Sequence, residues 1–275
     1  MLSVPFGIVV GLALGLTGGG GSIFAVPLLI YGLGIEAHSA VAMSLAAVAF
    51  TAAIGALEGW LRGVVELRAA LIFAVAGMLF APVGVYLGDQ VDPAVVVVLF
   101  ATLMLVVACR MFVKARRAPD ESRIVRARLA SNASQDQGTV CRYSADGHLR
   151  LNAPCSAALI GVGAVVGVLS GFFGVGGGFL IVPALVLITE MGIHRAVATS
   201  LLVIALIGLS GVGSAVLAGR DLNWAITLLF VLGGIIGMFA GRGLAQRLAG
   251  STLQILFAIA MILIALFIIA DRLLG

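Results

Sequence analysis

One pattern occurs twice in this chain and constrains its fold more than any other feature. Residues Gly11 to Leu45 read GLALGLTGGGGSIFAVPLLIYGLGIEAHSAVAMSL, and Gly167 to Leu201 read GVLSGFFGVGGGFLIVPALVLITEMGIHRAVATSL. At a constant offset of 156, without a gap, the two agree at 14 of 35 positions. The matches pair Gly18 with Gly174, Gly20 with Gly176 and Gly21 with Gly177; Pro27 meets Pro183, His38 meets His194 and Ser44 meets Ser200. A repeat at fixed spacing makes the chain two halves of one architecture, each with a glycine-broken apolar segment.

Of the 275 residues, 62% are hydrophobic and 10% charged, against about 25% charged in soluble domains. Several apolar runs exceed the ~18 residues that argue for a membrane span. The fold class read from this is all-α: a polytopic membrane protein of two homologous repeats. Each repeat has a glycine-broken first helix plus three transmembrane helices, about eight membrane segments in all. The segments are Pro5–Leu33, Ser39–Leu57, Arg68–Leu87 and Ala94–Val113, then Ala157–Ile188, Val197–Leu217, Trp224–Leu244 and Thr252–Ala270. Ser39 reads as a helix cap and Trp60 as an interfacial anchor. Residues 1–113 form the first repeat and 154–275 the second. Met1–Leu16 lacks a Lys/Arg start and its glycines recur in the second copy, so it reads as mature structure rather than a signal peptide.

Between the repeats, residues 114–153 are polar and hold eight of the 16 basic residues. This reads as a flexible cytoplasmic linker, placed there by its positive excess, and the clustering explains the +4 net charge better than nucleic acid does. The three cysteines have neither metal-ligand nor redox spacing, so they establish no disulfide.

The broken segments set the topology, and two alternatives stand. If Pro5–Leu33 spans once, the repeats are parallel. If it is a re-entrant hairpin of two half-helices, each half crosses three times and the repeats are inverted. The hairpin puts Arg195, Arg242 and Arg247 inside and leaves Arg220 and Arg272 outside, so charge leans towards inversion, a recurrent transporter plan.

Glycine clusters that open a helix are anion sites in physical terms, with free N–H groups at the positive end of the dipole. The segment cores hold no Lys or Arg, so an anion at the midplane would rest on backbone and hydroxyls. The candidate substrate-binding residues are Thr17, Gly18, Gly19, Gly20, Gly21, Ser22, Gly174, Gly176, Gly177 and Gly178, with Ser44, Thr199, Ser200, His38 and His194. The competing reading of the glycines is close helix packing; that of the hydroxyls is a bond to their own helix. For the histidines, placement at segment ends favours capping over proton coupling. Walker A needs GK[ST], and the single lysine is Lys114, which excludes nucleotide-driven pumping by this chain alone. No carboxylate pair lies within a span, and no Ser-His-Asp set or metal spacing occurs. The reading is therefore a non-enzyme without cofactor or metal.

The motifs Gly15-Leu16-Thr17-Gly18-Gly19-Gly20-Gly21-Ser22 with Pro27, and Gly171-Phe172-Phe173-Gly174-Val175-Gly176-Gly177-Gly178 with Pro183, resemble the sulfite exporter TauE/SafE (TSUP) family of membrane transporters. His38–Ser44 and His194–Ser200 follow at the expected distance. The resemblance covers both halves. It implies a multi-pass transporter of the inner or plasma membrane for sulfur-containing anions such as sulfite and sulfonates. The expected function is a secondary carrier or facilitator for a small anion; the alternatives are an anion channel or a membrane scaffold without transport. Expected partners are the anion and the lipid bilayer. A proton or other coupling ion and a homo-oligomer stay open.

Overall fold

The computed structural model describes residues 2–117, 142–143, 149–150, 153–173, 177–189, 191, 193–217, 219, 223–245 and 250–274. For some of these, His194 among them, only the backbone is described. The chain is helical: α1 (Ser3–Thr17), α2 (Ser22–Pro27) running into a π-helical turn (Leu28–Gly32), α3 (Ala37–Leu61), α4 (Leu67–Asp89), α5 (Pro93–Arg117), α6 (Ala153–Phe173), α7 (Gly178–Thr189), α8 (Ile193–Leu217), α9 (Trp224–Ala245) and α10 (Gly250–Leu274). Within the expected linker, Arg142–Tyr143 and Leu149–Arg150 pair as a short antiparallel ladder. Among the described residues five helices are long and apolar enough to cross a membrane, Ala37–Leu61, Leu67–Asp89, Ala153–Phe173, Arg195–Leu217 and Trp224–Leu244, and shorter apolar stretches run over Ser3–Thr17, Ser22–Gly32, Ala94–Cys109 and Met261–Ala270.

Helix ends follow local chemistry. Gly18 stops α1 because it takes the left-handed conformation (φ 74°), its N–H bonding Leu14 O at 2.7 Å, as a glycine C-cap does. Pro27 lacks an N–H and cannot bond one turn back, and the helix passes there from α to π spacing. Asp92 Oδ1 accepts the Ala94 N–H at the start of α5, and Asn223 Oδ1 accepts that of Ile226 at the start of α9. Ser39 is not the cap expected from sequence. The helix begins two residues earlier at Ala37, where the Glu36 carbonyl already accepts the Ala40 N–H.

The helices divide into two compact units that do not follow the sequence halves. One comprises residues 1–91 and 139–242, the other 92–138 and 243–275. In the second unit α5 and α10 pack together. Both are 25 residues long and apolar.

In the first unit, glycines set the helix contacts. A Cβ on Gly7, Gly11 or Gly15 would run into the carbonyls of Phe230, Gly234 and Met238, so α1 and α9 touch backbone to backbone, side by side in the same direction. A Cβ on Gly163, Gly167 or Gly171 would meet the carbonyls of Phe73, Gly77 and Ala81, so α6 and α4 do the same. Glycines four apart share one helix face. Phe73 and Phe230, fully buried, occupy matching places in the two seams.

Helices α3 and α8 cross in opposite directions. Gly59 faces Ala198 and Gly55 faces Leu201, while Gly208 faces Ala49 and Gly211 faces Leu45. Both run 25 residues, from 37 and from 193, so they hold aligned stretches of the sequence repeat. The outward surface is apolar, with Leu79, Leu217, Leu228 and Ile236 exposed, and Trp60 and Trp224 exposed at helix ends. In water such a surface is a liability; in a bilayer it is the lipid-facing coat, with tryptophans at the interface.

Candidate functional site

At the first break the chain reverses. Gly21 lies against Val10 and Leu14, and Gly32 lies against the Phe6 ring, so α2 and its π turn run back along α1. The same reversal starts at the second break: Gly177 (φ 64°) lies against Val166 and Ser170. Val166 and Ser170 stand 156 residues after Val10 and Leu14.

The two breaks meet. A Cβ on Gly19 would overlap the Gly178 carbonyl, and one on Gly178 would come within 2.8 Å of Gly19 Cα. Helix α8 closes over this junction, with Val197 packed on Gly18. The Ser200 hydroxyl stands 2.8 Å from both the Gly18 and Val197 carbonyls, to which it donates. Gly18, Gly19, Gly21, Ser22, Gly177, Gly178 and Ser200 are all buried, while Thr17 and Gly20 are partly accessible. The tertiary fold therefore brings residues 18–19, 177–178 and 200 to one place.

Much of the hydrogen bonding of the first break is internal. Thr17 Oγ1 donates to Ala13 O and accepts the Gly20 N–H, both at 2.8 Å. Ser22 Oγ donates to Gly19 O at 2.7 Å. The N–H groups of Ser22, Ile23 and Phe24 return to the carbonyls of Gly19, Gly20 and Gly21.

Other candidates sit elsewhere or serve their own helix. His38 is at the start of α3, its Nε2 3.2 Å from the Gly88 carbonyl near the end of α4; a carbonyl only accepts, so that nitrogen carries the hydrogen. Thr199 Oγ1 accepts the Glu66 N–H at 3.0 Å, tying α8 to the α3–α4 connection. The buried Ser44 donates to Val41 O in its own helix. Gly174, Gly176 and the His194 side chain lie outside the described residues.

Two features were not singled out by the sequence reading. Glu58 on α3 takes Arg62 on one carboxylate oxygen and Arg242 of α9 on the other, and Arg242 also donates to the Gly55 carbonyl at 3.0 Å. Glu58 and Arg242 are each only about a fifth exposed, at 21% and 20%. Arg242 being the single cation inside Trp224–Leu244 was the available signal. The second feature is Ser170, wholly buried beside Gly177 where the aligned first-half residue is Leu14. A mismatch in an otherwise matching frame was the signal there. Among the described residues no group of three His, Cys, Asp or Glu is placed to hold a metal ion. Cys155, left unpaired by the sequence reading, is disulfide-bonded, and Cys109 is free.

This arrangement of buried glycine breaks within apolar helices coincides with a family match over residues 3–268, to the model described as sulfite exporter TauE/SafE. The chain belongs to the TauE/SafE family. It is 36% identical over 273 residues to a protein of Xylella fastidiosa named probable membrane transporter protein, which covers 98% of this chain and 94% of that one. It is 26% identical over 271 residues to the probable membrane transporter protein YunE of Bacillus subtilis, covering 96% and 95% of the two chains. No solved structure matches. As a TauE/SafE member with this apolar helical surface, the chain is a multi-pass membrane protein of a transporter family, a role that entails a substrate and a bilayer.

Proposed function

We propose that the chain is a secondary carrier or facilitator for a small anion, a sulfur oxyanion or an organosulfonate, bound where the two glycine breaks meet. The contact of Gly19 with Gly178 carries this reading. It joins two interrupted helices deep in the protein, at a place lined by backbone and hydroxyls rather than by cations. Interrupted helix ends in a membrane are tolerated where they line a protein or aqueous cavity, and they are the usual substrate sites of repeat-built transporters. Weak neutral donors hold an anion firmly enough to select it and loosely enough to release it. The substrate class follows from the family description; the relatives' names carry no substrate.

The same reading takes the two halves as inverted repeats. Its support is that α3 and α8, aligned in sequence, cross antiparallel, and that the first break doubles back along α1. Three crossings per half follow, with the Glu58–Arg62–Arg242 end on the cytoplasmic side.

Purified protein in liposomes tests the function. Saturable flux of sulfite, thiosulfate or a sulfonate is expected, run with and without a proton gradient. Flux that does not saturate would make the protein a channel. No flux of any of these anions would favour a scaffold in which the glycines serve packing alone.

A further inference from the structure

Ser170 is unlike the other hydroxyls around the breaks. Those of Thr17, Ser22, Ser44 and Ser200 each donate to a backbone carbonyl. Ser170 is 0% exposed, and its Oγ has no hydrogen-bond partner among the described residues. A helical serine ordinarily returns its proton to the carbonyl one turn back, and a buried polar group left unmet calls for an explanation, an absent ligand among them.

Its position supplies one. Ser170 lies one turn before the end of α6, and its Cβ is 3.5 Å from where a Cβ on Gly177 would stand. Gly177 opens the 12-residue α7, and the next residue, Gly178, backs onto Gly19. The first N–H groups of a helix have no carbonyl within that helix to bond and form the positive end of its dipole. The Leu180 and Ile181 N–H groups return to the Gly177 carbonyl, so a hydroxyl without an acceptor stands beside the positive end of the α7 dipole. What the place lacks is an acceptor oxygen carrying negative charge. The first break differs, because Leu14 holds the equivalent position.

We infer that Ser170 binds the transported anion, donating a hydrogen bond to one of its oxygens, and that the anion is held at the α7 end of the junction. This rests on the anion-transport reading and makes the two breaks unequal, the second forming the binding half. The ligand chemistry is a compact oxyanion with at least two acceptor oxygens; sulfite, sulfonate and carboxylate share it.

The test compares purified wild-type protein with Ser170→Ala in two measurements. One is the thermal unfolding midpoint in detergent, without anion and in a titration of sulfite, thiosulfate, methanesulfonate and acetate. The other is KM for flux in liposomes. Losing one hydrogen bond to a charged oxygen should weaken binding and raise KM about tenfold for the best anion. The anion-free midpoint should stay level or rise, since the alanine removes an unmet buried hydroxyl. Wild-type affinity in Ser170→Ala, with the wild type responding normally, overturns the role of Ser170 and leaves the transport reading standing. No response of the wild type to any anion overturns the transport reading and this inference with it. If Ser170→Ala does not fold, Ser170→Gly, which likewise has no side-chain donor, makes the same comparison, and unchanged affinity there is equally decisive.

Discussion

Gly19 and Gly178 occupy the tightest place in the proposed site, and neither has room for a single carbon. The obstacle to a Cβ on Gly19 is the Gly178 carbonyl, a backbone group that cannot rotate aside, so alanine there must push the breaks apart. Overpacking of this kind costs roughly 1–3 kcal/mol. The expected result for Gly19→Ala is a reduced folded yield and at least a tenfold loss of flux per folded molecule, scored by quantifying monodisperse protein before reconstitution. Gly213→Ala, with nothing within 4 Å of the added carbon, should behave as wild type. Normal specific activity in Gly19→Ala would detach the break contact from transport. At Gly177 even alanine is a severe change, because the left-handed φ of 64° costs a non-glycine residue about 1–2 kcal/mol before Val166, 2.5 Å from the new carbon, is displaced.

Helices in a bilayer gain little from burying apolar surface against one another, so close backbone packing supplies much of their association. The two seams, α1 on α9 and α6 on α4, follow this rule with glycines at every fourth position. They also interlock the sequence halves, since each half's first helix packs on the other half's third. Helix α6 offers an internal control. Gly167 abuts Gly77, whereas Gly161 faces open space. Gly167→Val should lower the unfolding midpoint sharply, by an amount corresponding to roughly 2 kcal/mol or more, and Gly161→Val should leave it near wild type. Equal effects of the two substitutions on thermal stability in detergent would mean that the seam does not hold the helices together.

For the molecule as a whole the decisive relation is the antiparallel crossing of α3 and α8. At one end of α3, Glu58 gathers Arg62 and Arg242; at the other, His38 meets Gly88 beside Asp89. The charge asymmetry fits an arginine-bearing cytoplasmic end and an acidic outer end. The disulfide at Cys155, at the start of α6, argues against that placement, because disulfides are rare on the reducing side. Reporter fusions at Met1 and Gly275 separate these possibilities. External signals from both ends are expected, and cytoplasmic signals from both would overturn the cytoplasmic placement of the arginine-bearing end.

What the sequence by itself determined is local or periodic. Gly18 ends α1 at Thr17 because a left-handed glycine needs no distant partner. Hydropathy located the segments to within a few residues. The offset of 156 placed matching residues in both halves, and the family motifs named the transporter family. What only the tertiary structure decided involves partners far apart in the chain. Thr199 meets Glu66 across 133 residues and Ser200 meets Gly18 across 182, so nothing near either residue announces its bond. The direction in which α3 meets α8 was equally hidden, because an apolar face rich in small residues packs as well parallel as antiparallel. His38 and Thr199 read as candidates on motif position alone, yet geometry sends their polar atoms to Gly88 and Glu66. Ser170 went unseen because an alignment draws attention to agreement, while an unmet hydrogen bond exists only in three dimensions.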